Sequence, residues 1–128
     1  MVLISAARYK PIRSASDLED QTILVFNSGC CYREKLENWL NSEGIRPIKR
    51  MEFNTLDGIF GCVKAGLGVA LVSRSVAQEY SYEEIRFHSV PVDYSRATTV
   101  FIQRNNTQQT PALTSFSELA KNKYKNLL

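Results

Sequence analysis

The sequence predicts an α/β fold with a mostly parallel sheet flanked by helices. Two apolar runs without polar interruption, Ile23–Phe26 and Val69–Val72, are typical of strands buried on both faces. Segments with apolar residues at helical spacing follow the first run and precede the second. Strands that alternate with helices favour parallel pairing, because a crossover helix brings the chain back to the edge where the first strand began.

The bulk properties are those of an ordinary globular protein and exclude several other classes. The 128 residues, 44% hydrophobic and 23% charged, suffice for one domain with its own core. A net charge of +3 with scattered basic residues does not make the basic stripe of a nucleic-acid binder. No apolar run reaches the length of a membrane span, and Val2–Ile4 is too short for a signal-peptide core. Three cysteines, two of them adjacent, do not make a disulfide framework, so we expect a cytoplasmic protein.

The first strand is predicted at Val2–Ser5 and starts almost at residue one, which leads us to expect a fragment of a longer protein. A loop at Pro11–Ser16 follows, and Ser16–Leu18 can open a short helical turn. The central strand Ile23–Phe26 leads into a helix that Gly44 ends. The apolar face of this helix consists of Tyr32, Leu36, Trp39 and Leu40.

The middle of the chain predicts a strand, a helix and a second strand. The strand is expected at Pro47–Phe53, and either Asn54 or Thr55 can cap the helix after it. Gly66–Gly68 ends that helix directly before the buried run Val69–Val72. Such a junction requires a positive φ or a residue without bulk, which is a sufficient structural reason for the glycines. The buried face of the helix is expected to be Leu56, Ile59, Phe60, Val63 and Leu67.

The last third of the chain predicts two strands and two helical segments. Ser73–Ala77 is expected to form a short helical turn, and Ile85–Val92 an edge or crossing strand. Thr98–Gln103 is expected to be a final strand, which a polar turn at Asn105–Gln109 separates from the last helix. Thr110–Pro111 is a good start for that helix, with Thr as cap and Pro at the first helical position. Its apolar stripe is Leu113, Phe116, Leu119, Ala120 and Tyr124.

The turn Asn27–Gly29 between the central strand and its helix is the clearest signal of a binding site. It places free backbone N–H groups and the positive end of a helix dipole at the carboxyl end of a buried strand. Open α/β sheets bind ligands at that edge, and a helix N-terminus favours an anion. The Ser28 hydroxyl can hold a carboxylate or phosphate there, or it can simply cap the helix, which is worth about 1 kcal/mol. Asn54 and Thr55 pose the same question at the next helix, where capping is the simpler interpretation.

Several blocks of the chain resemble the effector-binding domain of LysR-type transcriptional regulators. The resemblance covers nearly the whole chain, and Val-Lys-Ala-Gly-Leu-Gly-Val-Ala is its most specific block. One departure is Ser73, where that family often has proline. The matching blocks are Val25–Arg33, Leu36–Leu40, Glu52–Ile59, Val63–Ala70, Thr98–Arg104, Pro111–Leu113 and Phe116.

The resemblance implies one lobe of the clamshell fold of type II periplasmic binding proteins, with a small-molecule effector held between two lobes. Residues 1–95 would form lobe II, and residues 96–128 a strand and a helix that return to lobe I. The rest of lobe I and the DNA-binding domain would lie outside the chain, so DNA would be contacted only through that missing domain. It further implies co-inducer sensing without catalysis or cofactor, and self-association of the isolated chain through its C-terminal segment.

The resemblance also implies which residues line the cleft. The loop after the central strand corresponds to an effector-contacting loop in the family, and the effector is expected to be a carboxylate or another anion. The candidate ligand-binding residues are Asn27, Ser28, Gly29, Cys30, Cys31 and Thr55.

Two alternatives depend on the cysteines. In the peroxide-sensing member of the family, the reactive cysteine has a setting similar to that of Cys31, and a helix N-terminus with Arg33 nearby would lower a thiol pKa. The sensor's partner cysteine lies nine residues further on, where this chain has Leu40, so Cys62 is the remaining candidate. The second alternative is an α/β enzyme with Cys31 as nucleophile, for which the sole histidine, His88, lies on a distant strand.

A zinc site is not expected. Cys30, Cys31, Cys62 and His88 are four candidate ligands, but adjacent cysteines chelate poorly. No Cys-x-x-Cys spacing occurs in the chain.

Overall fold

A computed structural model of the chain describes residues 1–47, 49–80, 83–98 and 100–125. These residues belong to two compact units, Met1–Ala97 and Thr98–Leu128, and each unit is described by itself. Among the described residues, no helix is both long enough and apolar enough to cross a lipid bilayer.

The described strands lie in the first unit and confirm the α/β class. β1 pairs antiparallel with both β4 and β5, whereas β2 and β3 form a parallel pair. The parallel bridge between Ile23 and Val69 joins β2 to β4, so that four of the five described strands point the same way and β1 runs against them. The mostly parallel orientation is therefore confirmed. The reversed direction of β1, which lies between β4 and β5, cannot be predicted from a buried apolar run. The strands are β1 (Val2–Ala6), β2 (Thr22–Phe26), β3 (Lys49–Phe53), β4 (Ala70–Val72) and β5 (Ile85–His88).

The helices begin and end close to where the sequence predicts them. Gly44 and Gly66 have φ values of 70° and 77°, the left-handed conformation that ends a helix at low steric cost. The predicted helical turn after the first loop is a 3-10 turn at Ala15–Leu18. The α-helices are α1 (Cys31–Ser42), α2 (Leu56–Lys64), α3 (Arg74–Ala77), α4 (Val92–Ser95) and α5 (Pro111–Lys125).

Strands β1, β2 and β4 are buried on both faces, as the uninterrupted apolar runs predict, whereas β3 is largely exposed. Along β1, Val2 and Ile4 pack into a cluster with α2, whereas Leu3 packs into a second cluster with α1. This alternation follows from the pleat, which directs successive side chains to opposite faces. From α2 the first cluster receives Ile59, Phe60 and Val63, and from α1 the second cluster receives Leu36, Trp39 and Leu40.

Three expectations for the helices and strands differ from the structure. Leu67 is 52% exposed, because α2 ends at Lys64 and the positive φ of Gly66 turns the chain away from the buried face. The predicted strand Ile85–Val92 stops at His88, since Pro91 lacks an N–H for a ladder and serves instead as the N-cap of α4. The strand predicted from Pro47 begins at Lys49, and Ile48 lies outside the described residues.

The final strand predicted at Thr98–Gln103 is also not formed in the second unit. Its described residues, 98 and 100–103, have no strand pairing, because a strand requires a neighbouring strand to accept its ladder hydrogen bonds. Within this unit the ring of Phe101 lies 5.8 Å from that of Phe116 on α5. The predicted helix start is confirmed, since the Leu113 N–H donates to the Thr110 hydroxyl at 3.2 Å. The side chain of Tyr124, part of the predicted stripe, lies outside the described residues.

We predict that Gly68→Ala destabilises the first unit while Gly61→Ala does not. A Cβ at position 68 would collide with the carbonyl oxygen of Thr22, the acceptor that ties β2 to the start of β4. We expect a loss of about 1–3 kcal/mol in the free energy of unfolding, measured by urea denaturation. Gly61 lies exposed in α2 with open space where a Cβ would stand, so alanine there should gain about 0.5–1 kcal/mol. Equal stability of the two variants would contradict the close β2–β4 approach.

Candidate functional site

The candidate site lies where the loops after β2 and β3 meet. Because these strands are parallel neighbours, their carboxyl ends share one edge of the sheet, and the turn after β2 lies next to the loop before α2. The side chain of Asn27 donates a hydrogen bond to the Asn54 side chain, with 2.5 Å between Nδ2 and Oδ1. The sequence predicted both loops as candidates, and the structure brings them together through this pair.

The turn leaves the backbone N–H groups at the N-terminus of α1 without a side-chain cap. The Cys30 N–H donates to the Asn27 carbonyl at 3.3 Å, and Gly29 takes a φ of 89° that lets the chain reverse into the helix. Cys30 is the N-cap residue, and its side chain makes no capping hydrogen bond. The Ser28 side chain is exposed and has no hydrogen-bond partner among the described residues, so the simple capping role considered for it is wrong. The first-turn N–H groups of α1 therefore face the edge of the sheet without a side-chain acceptor.

The N-terminus of α2, by contrast, is closed by its own cap. The Thr55 hydroxyl accepts a hydrogen bond from the Gly58 N–H at 3.2 Å, as the capping interpretation predicted. Thr55 is exposed at the same edge as Asn54. Of the two neighbouring helix ends, one is thus satisfied internally and the other is not.

A network of charged side chains fixes the strand end that precedes the turn. Arg33 donates from Nη1 to the Phe26 carbonyl at 3.2 Å and to Glu52 Oε1 at 3.0 Å, and from Nε to Glu37 Oε1 at 3.1 Å. Arg50 of β3 pairs with the same Glu37 oxygen at 2.8 Å. The Arg33 side chain is only 11% exposed. Its hydrogen bonds join β2, β3 and α1 next to the turn. Sequence reasoning missed this role: the i,i+4 spacing of Arg33 and Glu37 was a visible signal, whereas Glu52 on β3 comes near only through the pairing of the strands.

The three cysteines are free thiols in different surroundings. Cys31 is exposed at the start of α1, Cys30 is half-buried beside it, and Cys62 is half-buried against the core of α2. Arg33 is committed to two carboxylates and a carbonyl, so its guanidinium does not serve the Cys31 thiol as the redox alternative required. Burial raises the pKa of Tyr32 above its usual value, and the two neighbouring thiols raise it further.

The sole histidine forms a buried pair that the sequence did not indicate. His88 Nε2 lies 2.8 Å from the Ser5 hydroxyl, and the Ile12 N–H donates to His88 Nδ1 at 3.2 Å. Because Nδ1 is an acceptor, the neutral ring carries its proton on Nε2 and donates it to Ser5. Such a ring cannot accept a proton from the Ser5 hydroxyl, so the pair is not a nucleophile with its general base. Among the described residues, no three His, Cys, Asp or Glu side chains are grouped as metal ligands would be.

Two serines at the end of β4 complete the same edge of the sheet. The hydroxyls of Ser73 and Ser75 lie 2.7 Å apart, directly after a strand that is parallel to β2. The signal for them was present in the sequence as a polar run after a buried strand, but only the strand order brings it to the edge that holds Asn27.

The chain matches the family model of the LysR substrate binding domain over residues 1–125. It is 47% identical over 117 residues to the HTH-type transcriptional regulator GltR of Bacillus subtilis, a match that covers 91% of this chain and 40% of that protein. It is 42% identical over 123 residues to the HTH-type transcriptional regulator SoxR of an Arthrobacter species, covering 95% of this chain and 42% of that protein. The chain thus spans about two fifths of the length of these relatives.

Two solved structures share the fold at low sequence identity. The regulatory domain of CcmR from Synechocystis, in complex with 2-PG, superposes with a TM-score of 0.74 at 15% identity, covering 98% of this chain and 62% of that one. The effector-binding domain of QuiR, in complex with shikimate, gives a TM-score of 0.68 at 15% identity, covering 98% of this chain and 61% of that one. The type II periplasmic-binding-protein-like fold expected from the sequence is thereby confirmed.

We predict that Thr55→Ala and Ser28→Ala affect stability differently. Thr55→Ala removes the cap of α2 and should cost about 1 kcal/mol in the free energy of unfolding. Ser28→Ala removes a hydroxyl that caps no helix, so its effect should stay within about 0.5 kcal/mol. Urea denaturation of both variants beside the wild type measures the difference. A loss at Ser28 as large as that at Thr55 would show that the serine hydroxyl supports the fold.

Proposed function

The chain belongs to the LysR substrate binding domain family, and we propose that it is part of the effector-binding region of a longer transcriptional regulator. In this proposal residues 1–95 form lobe II, and residues 96–128 return to lobe I. The remainder of lobe I and the DNA-binding domain belong to the regulator outside this chain, so DNA is contacted only through them. The share of the relatives that the chain spans, about two fifths, supports this assignment.

The effector that this lobe contacts is, in our proposal, a small anion such as a carboxylate. The observation that carries it is the contrast between the two helix ends at one edge of the sheet: a hydroxyl closes α2, whereas the N–H groups of α1 remain open. Backbone N–H groups at a helix N-terminus favour negative charge. The ligands named for CcmR and QuiR, 2-PG and shikimate, support a small polar effector.

Each candidate residue has a physical task in this proposal. The Asn27–Asn54 pair holds the two loops together, and Gly29 lets the backbone approach the effector closely. The open α1 end and the Ser28 hydroxyl donate to the anion, with the Cys30 and Cys31 side chains beside them. Thr55 keeps its cap and presents its hydroxyl proton as a further donor.

Binding between the lobes would regulate by population shift. An effector that contacts both lobes stabilises the closed arrangement by the difference between its affinities for the two states. No step of this mechanism requires catalysis, and the Ser5–His88 pair has the tautomer that a Ser–His hydrolase does not use. The relatives in sequence are transcriptional regulators.

We predict that acidic ligands stabilise the regulator that carries this chain and that their neutral counterparts do not. The probes are succinate against succinamide, and glycerol phosphate against glycerol, with shikimate added as a cyclic carboxylate. A ligand that binds only the folded state stabilises it by RT ln(1 + L/Kd), where L is the free ligand concentration, so the melting temperature rises with that concentration. Stabilisation by the neutral member of a pair that equals that by the acid would contradict the anion assignment.

With an acidic effector from that panel, Ser28→Ala should raise the concentration needed for half-maximal reporter response roughly ten- to hundredfold. This is the effect of losing a hydrogen bond to a charged group, about 1.5–3 kcal/mol. Ser16→Ala is the matched control, because Ser16 is also exposed but lies in the 3-10 turn that precedes the amino end of β2. A Ser28→Ala curve that coincides with the Ser16→Ala curve would remove Ser28 from the site.

We further propose that the isolated chain self-associates through its C-terminal segment. In the regulator this segment returns to lobe I, whereas in the isolated chain a second copy takes that place. Burial of such side chains is worth about 1.5–3 kcal/mol each, so their exposure favours association. The exposed apolar side chains of the segment are Val100, Phe101, Ile102, Phe116 and Leu119.

We predict that Phe116→Asp converts a dimer or larger assembly of the isolated chain into a monomer. The aspartate places a charge on a face that would otherwise be buried between copies, at a side chain that is 58% exposed in one copy. Light scattering measures the mass, and Ser115→Asp adds the same charge at the neighbouring exposed position of α5. A monomeric wild type, or dissociation by Ser115→Asp alone, would contradict the proposal.

A further inference from the structure

The buried Ser5–His88 pair has no role in the proposed effector site. Ser5 is 1% exposed and His88 is 5% exposed, and they lie on the neighbouring strands β1 and β5. The ring joins three parts of the fold, because Nε2 donates to the Ser5 hydroxyl and Nδ1 accepts from the Ile12 N–H. Only the neutral ring satisfies both contacts, since a protonated imidazole has no acceptor.

Ile12 belongs to a loop, residues 7–14, that is held at both ends. At the first end, Ala7 donates to the Glu84 carbonyl at 2.9 Å, and Arg8 and Tyr9 donate to the last carbonyls of α2 and the glycine beyond it. At the other end, the N–H groups of Arg13 and Ser14 donate to the Asp17 carboxylate at 2.8 and 3.0 Å. These ends do not involve His88.

The middle of the 7–14 loop depends on the histidine. Pro11 has no N–H, and among the described residues the backbone hydrogen bond of Ile12 is to His88 Nδ1. The Ile12 side chain is half-buried against the second apolar cluster, the one that contains Leu36, Trp39 and Leu40 of α1. Beneath the loop lies a cavity of about 370 Å³, whose lining includes Ser5, Lys10, Ile12 and Gln21.

We propose that the protonation state of His88 controls the middle of the 7–14 loop. When Nδ1 takes a proton from solvent, the ring presents a donor to the Ile12 N–H in place of an acceptor, and that hydrogen bond is lost. The hydrogen bond between His88 and Ser5 survives, because Nε2 donates to the Ser5 hydroxyl in both protonation states. Protonation therefore releases Lys10–Ile12 over the cavity while β1 and β5 stay paired.

The surroundings of the ring favour its neutral form. Burial lowers the pKa of His88 below its ordinary value of 6.5, and the positive charge of Arg86 on the same strand lowers it further; the Ile12 backbone raises the pKa, but its effect is the smallest of the three. From β1 the ring meets the uncharged Ser5, and the charged groups that line the cavity next to Ser5 are Lys10 and Asp17. Two further titratable groups pack against the apolar cluster on this face of the sheet: the Tyr94 hydroxyl, which donates to Ser42, and the Met1 ammonium, which donates to the Ser95 carbonyl.

The lowered pKa sets the direction of the effect. Between the unfolded value near 6.5 and the lower folded value, the unfolded chain binds the proton and the folded chain does not. The stabilisation by neutral His88 is therefore complete above pH 6.5 and is lost as the pH falls through that window. The release of the loop occurs at the lower end of the window, where the folded chain itself becomes protonated.

The experiment is an NMR titration of the chain, in which the sole histidine gives unambiguous ring signals. We expect the Ile12 amide resonance to shift with the same midpoint as the His88 ring. Its hydrogen exchange, corrected for the intrinsic pH dependence, should become at least tenfold faster, whereas that of Leu3 in β1 should not change. An Ile12 amide that does not respond while His88 titrates, or a ring that titrates only on global unfolding, would overturn the proposal.

Three variants separate the histidine from its neighbours. In His88→Asn, the side-chain oxygen can accept from Ile12 but does not titrate, so the inflection at Ile12 should disappear. Ser5→Ala leaves the Ile12 contact in place and should keep the inflection, with a shifted midpoint; it serves as the test if the first variant does not fold. The N–H donors at the loop end hold the pKa of Asp17 below its usual range, and Asp17→Asn should leave the Ile12 inflection unchanged. An inflection that vanishes in Asp17→Asn would assign it to that carboxylate and overturn the proposal.

Discussion

The fold depends on the close contact between β2 and the start of β4. Leu24 donates to the Val69 carbonyl at 2.8 Å, and Val69 donates to the Thr22 carbonyl at 2.9 Å, which joins the parallel pair to the antiparallel strands around β1. Gly68 permits this approach, because any side chain there would occupy the space of the Thr22 carbonyl. The contact aligns the ends of β2, β3 and β4 at one edge, and the candidate site is built from the loops at that edge.

The candidate site and the Ser5–His88 pair differ in how their polar groups are hydrogen-bonded. At the edge beyond the carboxyl ends, Thr55 closes one helix while the α1 end stays open. The half-buried Arg33 donates to the Phe26 carbonyl just before the open turn. On the face of the sheet that packs against α1, His88 donates to Ser5 and accepts from the Ile12 N–H, and the Ser5 hydroxyl donates to the Ala6 carbonyl at 3.3 Å. Unsatisfied groups that face solvent suit ligand binding, whereas buried groups that are satisfied in only one protonation state respond to pH.

The local parts of the fold were predictable because their causes are local. The spacing of Leu36, Trp39 and Leu40 predicted the buried face of α1, and the glycines after α1 and α2 predicted where those helices end. Asn54 and Thr55 were both predicted as possible caps of α2 from their positions, and the structure assigns the cap to Thr55. The predicted strand at Thr98–Gln103 failed for the complementary reason: a strand takes its hydrogen bonds from a neighbour, and its own residues do not reveal whether one is present.

The sequence by itself determined the order of β1–β5 with α1, α2, α3 and α5, the buried face of α1, and the turn at which a ligand site is expected. Only the tertiary structure decided the reversed direction of β1, the contact of Arg33 with Glu52 and the Ser5–His88 pair. Ser5 and His88 are 83 residues apart in the chain, and Arg33 meets Glu52 across 19 residues. Helix spacing and capping depend on neighbours within about four residues, which a sequence displays directly. Contacts between distant residues depend on strand order. Strand order is set by packing and hydrogen bonding summed over the whole sheet, and no short stretch of sequence displays it.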